Sequence, residues 1–154
     1  MKKNLEITEE DSIVCLIRHW SEIFNLPIGE KEELPSKQRM LFITGLINEE
    51  FFETLDGVDN GDIKEVKDGL GDLLWVVIRA MLELGIDPQK TIEAIYDSNM
   101  SKVDLTEEDA MITKAMYHKQ NIATYVKEKE GMYITHRTSD DKVLKGRNYK
   151  APEL

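Results

Sequence analysis

Two short segments of the chain carry carboxylates at spacings that suit metal-assisted chemistry. In INEEFFETL, Glu49 and Glu53 stand one helical turn apart, and Glu50 is three residues before Glu53. At about 100° per residue, the three fall within an arc of about 100° on a helix. No Lys or Arg lies three or four residues from any of them, so Glu49 and Glu53 repel each other by a few tenths of a kcal/mol. Leu46, Ile47, Phe51 and Phe52 surround them, which makes a purely solvated face a poor description. In EVKDGLGDLLWVV, Glu65, Asp68 and Asp72 project from one side of a helix, with Leu70, Leu73, Leu74, Val77 and Met81 roughly opposite. Gly69 and Gly71 each weaken that helix by about 1 kcal/mol relative to Ala. Gly69 lies beside the acidic stripe, where a missing side chain lets a ligand or another backbone come close. Carboxylates on two neighbouring helices make a hard-oxygen site, and Mg²⁺ suits it because it takes one or two carboxylates and completes its shell with water and phosphate oxygens. The plain alternative is two solvated acidic faces, with Lys64 as the ordinary surface partner of Asp68 four residues on.

The elements that must position these groups are punctuated clearly. Thr8 with Asp11 resembles a capping box opening a first helix. Its apolar residues Ile13, Leu16, Ile17, Trp20, Ile23 and Phe24 recur at helical spacing, up to about Asn25 ahead of Pro27. A loop, LPIGEKEELP, precedes a second helix that starts after the cap Ser36 and runs to about Asp56, where GVDNG breaks it. Asp62 with Glu65 opens a third helix that continues to Gly85, a natural residue for the position after a helix end. Asp87 and Pro88 open a fourth, to about Lys102. Thr106 with Asp109 opens a fifth, to Gly131. The tail MYITHR, TSDD, KVLKG predicts a short β-hairpin. Cys15, Trp20 and Trp75 sit in apolar runs and read as core residues. The class is all-α: a four-helix-bundle-like core over about 8–104, extended by a helix and a hairpin over 105–154, in one domain of 154 residues.

The acidic segments resemble the all-α NTP pyrophosphohydrolase superfamily: MazG-like proteins, dimeric dUTPases and phosphoribosyl-ATP pyrophosphohydrolases. EEFFE is similar to that superfamily's EExxE, and EVKDGLGDLLWVV to the EVADALADLLYVV form of its MazG-like bacterial and phage branch. The resemblance extends through LGID at 84–87 and SNMSK at 98–102, and to the ending KVLKGRNYKAPEL. Gly69 stands where the ExxD form of the motif would place a Glu, which leaves open whether Glu65 or Asp68 joins Asp72 at the metal. Phosphoribosyl-ATP enzymes carry a His just after the D-L-L-Y run, where Trp75 and Val76 stand here.

The resemblance implies a MazG fold and Mg²⁺-dependent hydrolysis of a nucleoside triphosphate between its α- and β-phosphates, with Mn²⁺ as a substitute metal. It implies metal ligation by Glu50, Glu53, Asp68 and Asp72, with Glu65 as a ligand or support. Glu49 is the candidate general base. Asn99 and Lys102, three apart on one helical face, and Lys145 of the locally basic tail are the candidate phosphate-binding groups. Relatives are dimers or tetramers that complete their sites across subunits. A third helix apolar on nearly every side from Leu73 to Met81 likewise needs cover, so a homo-oligomer is expected. Two other functions stay open: a dUTPase-like or modified-nucleotide specificity, and a non-catalytic nucleotide-sensing helical module.

Charge narrows the partners. A formal net charge of −10 repels phosphate backbones, which argues against unaided nucleic-acid binding. Small polyanions remain accessible if cations bring them in. One cysteine provides no intrachain disulfide. The longest apolar run, Leu73 to Ile78, is too short to span a bilayer, and the two N-terminal lysines precede no apolar leader segment. A cytoplasmic protein with no membrane partner is expected.

Overall fold

The computed structural model describes residues 12–154, in two compact units that divide between Gln89 and Lys90. The first unit contains α1 (Ile13–Ile23), α2 (Lys37–Asn60) and α3 (Ile63–Glu83). Ser12 caps α1 by accepting the Cys15 N–H; the Thr8–Asp11 pattern lies outside the described residues. Ile17 of α1 packs with Ile78 and Leu82 of α3 to form the buried centre, against which Val14 and Trp75 are partly buried. Trp20 meets Trp75 edge to face, with ring centroids 5.5 Å apart. Cys15 is exposed, contrary to expectation. It lies two residues from Ile17, which turns it about 200° around the helix from the buried face.

α2 also departs from its sequence reading. It does not stop at Asp56 but continues to Asn60 and ends on Gly61 in the left-handed conformation. Gly57, read as part of a breaker, is a buried helical residue. A Cβ there would lie 2.7 Å from the backbone nitrogen of Val66 on α3. Gly69 makes the reciprocal approach: its Cβ would lie 2.6 Å from Thr54 Oγ1 and 2.9 Å from the Thr54 nitrogen on α2. The two helices thus touch backbone to backbone at two levels. Asp62 begins α3 by accepting the Lys64 and Glu65 N–H groups, and Gly85 follows the helix end at φ +71°.

The far ends of α2 and α3 are joined by a buried ion triad that sequence reasoning missed. Glu83, its side chain 4% exposed, accepts from Arg39 Nε at 2.5 Å and from Arg79 Nη1 at 2.7 Å. Burial alone would raise the Glu83 carboxyl, but the hydrogen bonds from Arg39 and Arg79 outweigh it and hold the group below its ordinary 4.5. Arg79 and Glu83 stand four residues apart, a local helical spacing, but nothing local in the sequence indicates the bridge from Glu83 to Arg39 on α2.

The second unit holds α4 (Pro88–Met100) from Lys90 onward, a turn at Ser101 and Lys102, α5 (Glu107–His118), β1 (Thr124–Lys129) and β2 (Met132–Arg137). Asp87 accepts the Gln89 N–H at the start of α4, and Thr106 accepts the Asp109 N–H at the start of α5. α5 does not reach Gly131. It ends at His118, and the segment TYVKEK forms an antiparallel ladder with MYITHR, Thr124 opposite Arg137 and Lys129 opposite Met132. Glu130 and Gly131, at φ 54° and 76°, make the two-residue turn whose twist matches such a hairpin. MYITHR is therefore the second strand, not the first. KVLKG contributes only a single bridge, Val143 to His136. α5 packs against both strands, burying Ala110, Thr113 and Thr135, with Leu144 from the tail. No helix among the described residues is long and apolar enough to cross a membrane.

Two stability measurements check this framework. Gly71 is helical with open space where a Cβ would stand, so Gly71→Ala should stabilise by about 1 kcal/mol. Gly69→Ala, two residues away, should lower the melting temperature despite the same gain in helix propensity. Glu83→Gln should cost about 3 kcal/mol near neutral pH, since it leaves two arginines short of their buried partner. Because the Glu83 carboxyl is depressed in the fold, its contribution is complete above 4.5 and is lost as pH falls through the lower folded value. Melting curves of wild type and variant should therefore converge in acid.

Candidate active site

The backbone contacts at Gly57 and Gly69 decide where the carboxylates lie. With Thr54 against Gly69, the preceding turn of α2 brings Glu50 and Glu53 alongside Asp68 and Asp72 of α3. Thr54 donates its hydroxyl proton to the Glu50 carbonyl at 2.9 Å, so no buried hydroxyl is left unpaired at this crossing. Glu50 is half-buried, while Glu49, Glu53, Asp68 and Asp72 are exposed. Burial pushes the Glu50 carboxyl above its ordinary value, and the charges of Glu53, Asp72, Glu49 and Asp68 push it further, in that order. Four acidic neighbours on two helices thus act on one glutamate. Among the described residues, none of the five pairs with a Lys or Arg, Lys64 included.

Glu65 belongs to the edge of this group. It accepts a hydrogen bond from Asn60 Nδ2 at 3.3 Å, and the largest charge effects on Glu50 come from Glu53, Asp72, Glu49 and Asp68. With Glu53, Asp56, Asn60, Asp68 and Gly69 it lines a hollow of about 320 Å³. Asp68 therefore stands nearer the centre than Glu65. Asn60 was missed because α2 was taken to end at about Asp56, whereas it runs to Asn60. Asp56 is three residues after Glu53, so the same periodicity that found the glutamates would have reached it.

The donor set is carboxylate oxygen throughout, which is the chemistry Mg²⁺ selects. Among the described residues, no three acidic or imidazole groups already converge at metal-binding distances. Mg²⁺ takes one or two carboxylates per ion and completes its shell with water and phosphate oxygens.

The three groups expected to bind phosphate gather in the second unit. Lys102 Nζ donates to Asn99 Oδ1 at 2.5 Å. Lys145 places its ammonium 4.0 Å from the centre of the Tyr149 ring. The tail is laced to the loop after α4. Gly146 donates to the Lys102 carbonyl at 2.8 Å. The Arg147 N–H donates to Asp104 Oδ1 at 3.1 Å and to Thr113 Oγ1 at 2.8 Å. Lys150 N–H donates to Ser101 Oγ at 2.9 Å. Asp104 is fully buried, its second oxygen having no partner among the described residues. Ser98, Asp104 and Tyr149 were not singled out in the sequence. Their hydrogen bonds link segments some 50 residues apart, which no local pattern reveals.

Compared with protein families, residues 17–99 match the phosphoribosyl-ATP pyrophosphohydrolase model, more than half of the 154-residue chain. The matched stretch holds both carboxylate segments and stops short of Lys102. No curated protein gives a significant match. The chain belongs to the phosphoribosyl-ATP pyrophosphohydrolase family, within the MazG-like all-α NTP pyrophosphohydrolases, and is a pyrophosphohydrolase of a nucleotide substrate.

Proposed function

We propose that the chain hydrolyses a nucleoside triphosphate between the α- and β-phosphates, releasing the monophosphate and pyrophosphate, in nucleotide-pool cleaning. The observation that carries this is the Glu50 environment, in which Glu53, Asp72, Glu49 and Asp68 add negative charge and no cationic side chain offsets it. Glu50, Glu53, Asp68 and Asp72 would hold Mg²⁺, and Glu65 would support Asp68 from the edge. When bound, the metal supplies charge neutralisation for the polyphosphate and acidifies a coordinated water. Glu49, exposed beside the cluster, would take a proton from the water whose oxygen attacks the α-phosphorus. The bond from the α-phosphorus to its bridging oxygen breaks, and pyrophosphate leaves. Asn99, Lys102 and Lys145 bind phosphate oxygens. The sequence favours a nucleoside triphosphate over phosphoribosyl-ATP, because those enzymes carry a His just after the D-L-L-Y run, where Trp75 and Val76 stand here.

The active form is a homo-oligomer. Phe42, Phe51, Phe52, Leu55, Leu70 and Leu74 leave an apolar surface on α2 and α3, with Phe52 60% and Leu70 53% exposed. Patches of that kind mark interaction surfaces, and a second copy of the same helix pair is the partner this reading assigns.

Phosphorus NMR of a reaction with Mg²⁺ should give pyrophosphate and the monophosphate. Orthophosphate with the diphosphate would exclude the reading. Excess EDTA should abolish turnover, and Ca²⁺ should support it poorly because its looser shell misplaces the water. Glu53→Gln and Asp72→Asn should each lower kcat at least about a hundredfold, on the order of 3 kcal/mol of barrier. In sedimentation equilibrium the active species should weigh at least twice the 17.8 kDa chain; an active monomer would rule out the assembly.

A further inference from the structure

Resting on the reading that Lys145 binds a phosphate oxygen, we infer that Ser98 is a positioning residue, a buried hydroxyl that sets Lys145 in place through Tyr149 and Lys150. Ser98 lies on α4 and is 7% exposed. It donates its one hydroxyl proton to the Lys150 carbonyl at 2.9 Å and accepts the Tyr149 hydroxyl at 3.3 Å. Ser101, three residues on, accepts the Lys150 N–H at 2.9 Å and donates its own proton to the Ser98 carbonyl at 2.7 Å. Each hydroxyl proton is used once. Both backbone groups of Lys150 are therefore clasped by two serines at the end of α4.

The clasp bears on function because of the side chain it supports. Lys145 is exposed but stands between two buried residues, Leu144 and Gly146. Their N–H groups bond the carbonyls of Thr135 and Lys102, each at 2.8 Å, and the Lys145 carbonyl accepts the Tyr117 hydroxyl at 3.0 Å. With its backbone fixed, Lys145 keeps only the freedom of its long stem. The Tyr149 ring restricts that freedom, since Lys145 Nζ lies 4.0 Å from the ring centre. A ring face attracts an ammonium without neutralising it, and among the described residues no carboxylate pairs with Lys145. A cation held in this way loses less entropy when it binds an anion. Ser98 holds the other end of the same ring, at its hydroxyl, and the residue that follows it.

The test compares the full-length wild type with Ser98→Ala, Lys145→Gln and the double variant, with Mg²⁺ tripolyphosphate as the probe in calorimetry. Ser98→Ala and Lys145→Gln should each bind about tenfold more weakly. The double variant should bind no more weakly than Lys145→Gln alone, because Ser98 acts only through that lysine. A serine that merely anchors the chain end would give independent losses, or none. Tyr149 is half-buried and provides a second route if Ser98→Ala melts early. Tyr149→Leu removes the ring and should also cost about tenfold, whereas Tyr149→Phe keeps the ring under the ammonium and should recover part of the affinity. Additive losses, wild-type affinity in Ser98→Ala and Tyr149→Leu, or binding indifferent to Lys145→Gln would each overturn the inference. Nucleoside triphosphate turnover on the same samples reads the hydrolase proposal separately. Coupled losses without turnover sink that proposal alone, and turnover with uncoupled losses sinks this inference alone.

Discussion

The first unit is organised around a contact that forces like charges together. Gly57 of α2 against Val66, and Gly69 of α3 against Thr54, let the two helix backbones meet where any side chain would separate them. Backbone proximity at that spot brings four acidic groups to bear on Glu50. Such proximity lowers the stability of the metal-free chain, since each like-charge neighbour is unfavourable. Elsewhere the unit is held firmly: apolar packing of α1 on α3, and a buried carboxylate between two arginines at the opposite end of the helix pair. The same chain therefore neutralises a buried carboxylate at one end of the pair and leaves a group of carboxylates unneutralised nearer the other. That contrast favours a functional origin for the acidic group over a general excess of acid.

The second unit solves a different problem. Its interior is small and polar, with Asp104, Thr113 and Thr135 all fully buried beside Ala110. A core with so few apolar groups cannot specify a loop by hydrophobic burial alone. Hydrogen bonds do it instead, with Asp104 and Thr113 receiving the Arg147 N–H and Ser101 receiving that of Lys150. The result is a tail whose lysine and tyrosine have a fixed relation to the end of α4.

Much of this was legible in the sequence, and the failures share a cause. Helix starts at Ser36, Asp62 and Thr106 were readable because a cap is a local feature, a side chain and an N–H two or three residues away. The carboxylate stripes were readable because helical periodicity is local too. Gly57 was misread as a breaker because its reason is Val66, on another helix. Cys15 was misread because an apolar run was treated as uniformly buried, whereas a helix at a surface buries one face. TYVKEK was read as helix because its charges hid the alternation, and its partner strand was assigned to the wrong side of MYITHR. The Arg39–Glu83 bridge and the partners of Asp104 and Tyr149 are distant in sequence, and one sequence carries no record of such pairings.

The central claim is that the acidic group exists to receive a divalent cation and strains the protein without one. Thermal unfolding of the substrate-free chain across a Mg²⁺ series measures this directly, with the Glu53→Gln, Asp72→Asn double variant beside the wild type. The account expects the wild-type melting temperature to rise saturably with Mg²⁺, following the linkage of binding to folding. It expects the metal-free variant to melt no lower than metal-free wild type and to respond little to Mg²⁺. A wild-type melting temperature indifferent to Mg²⁺, or a metal-free variant that melts far below it, would contradict the claim and make these carboxylates structural.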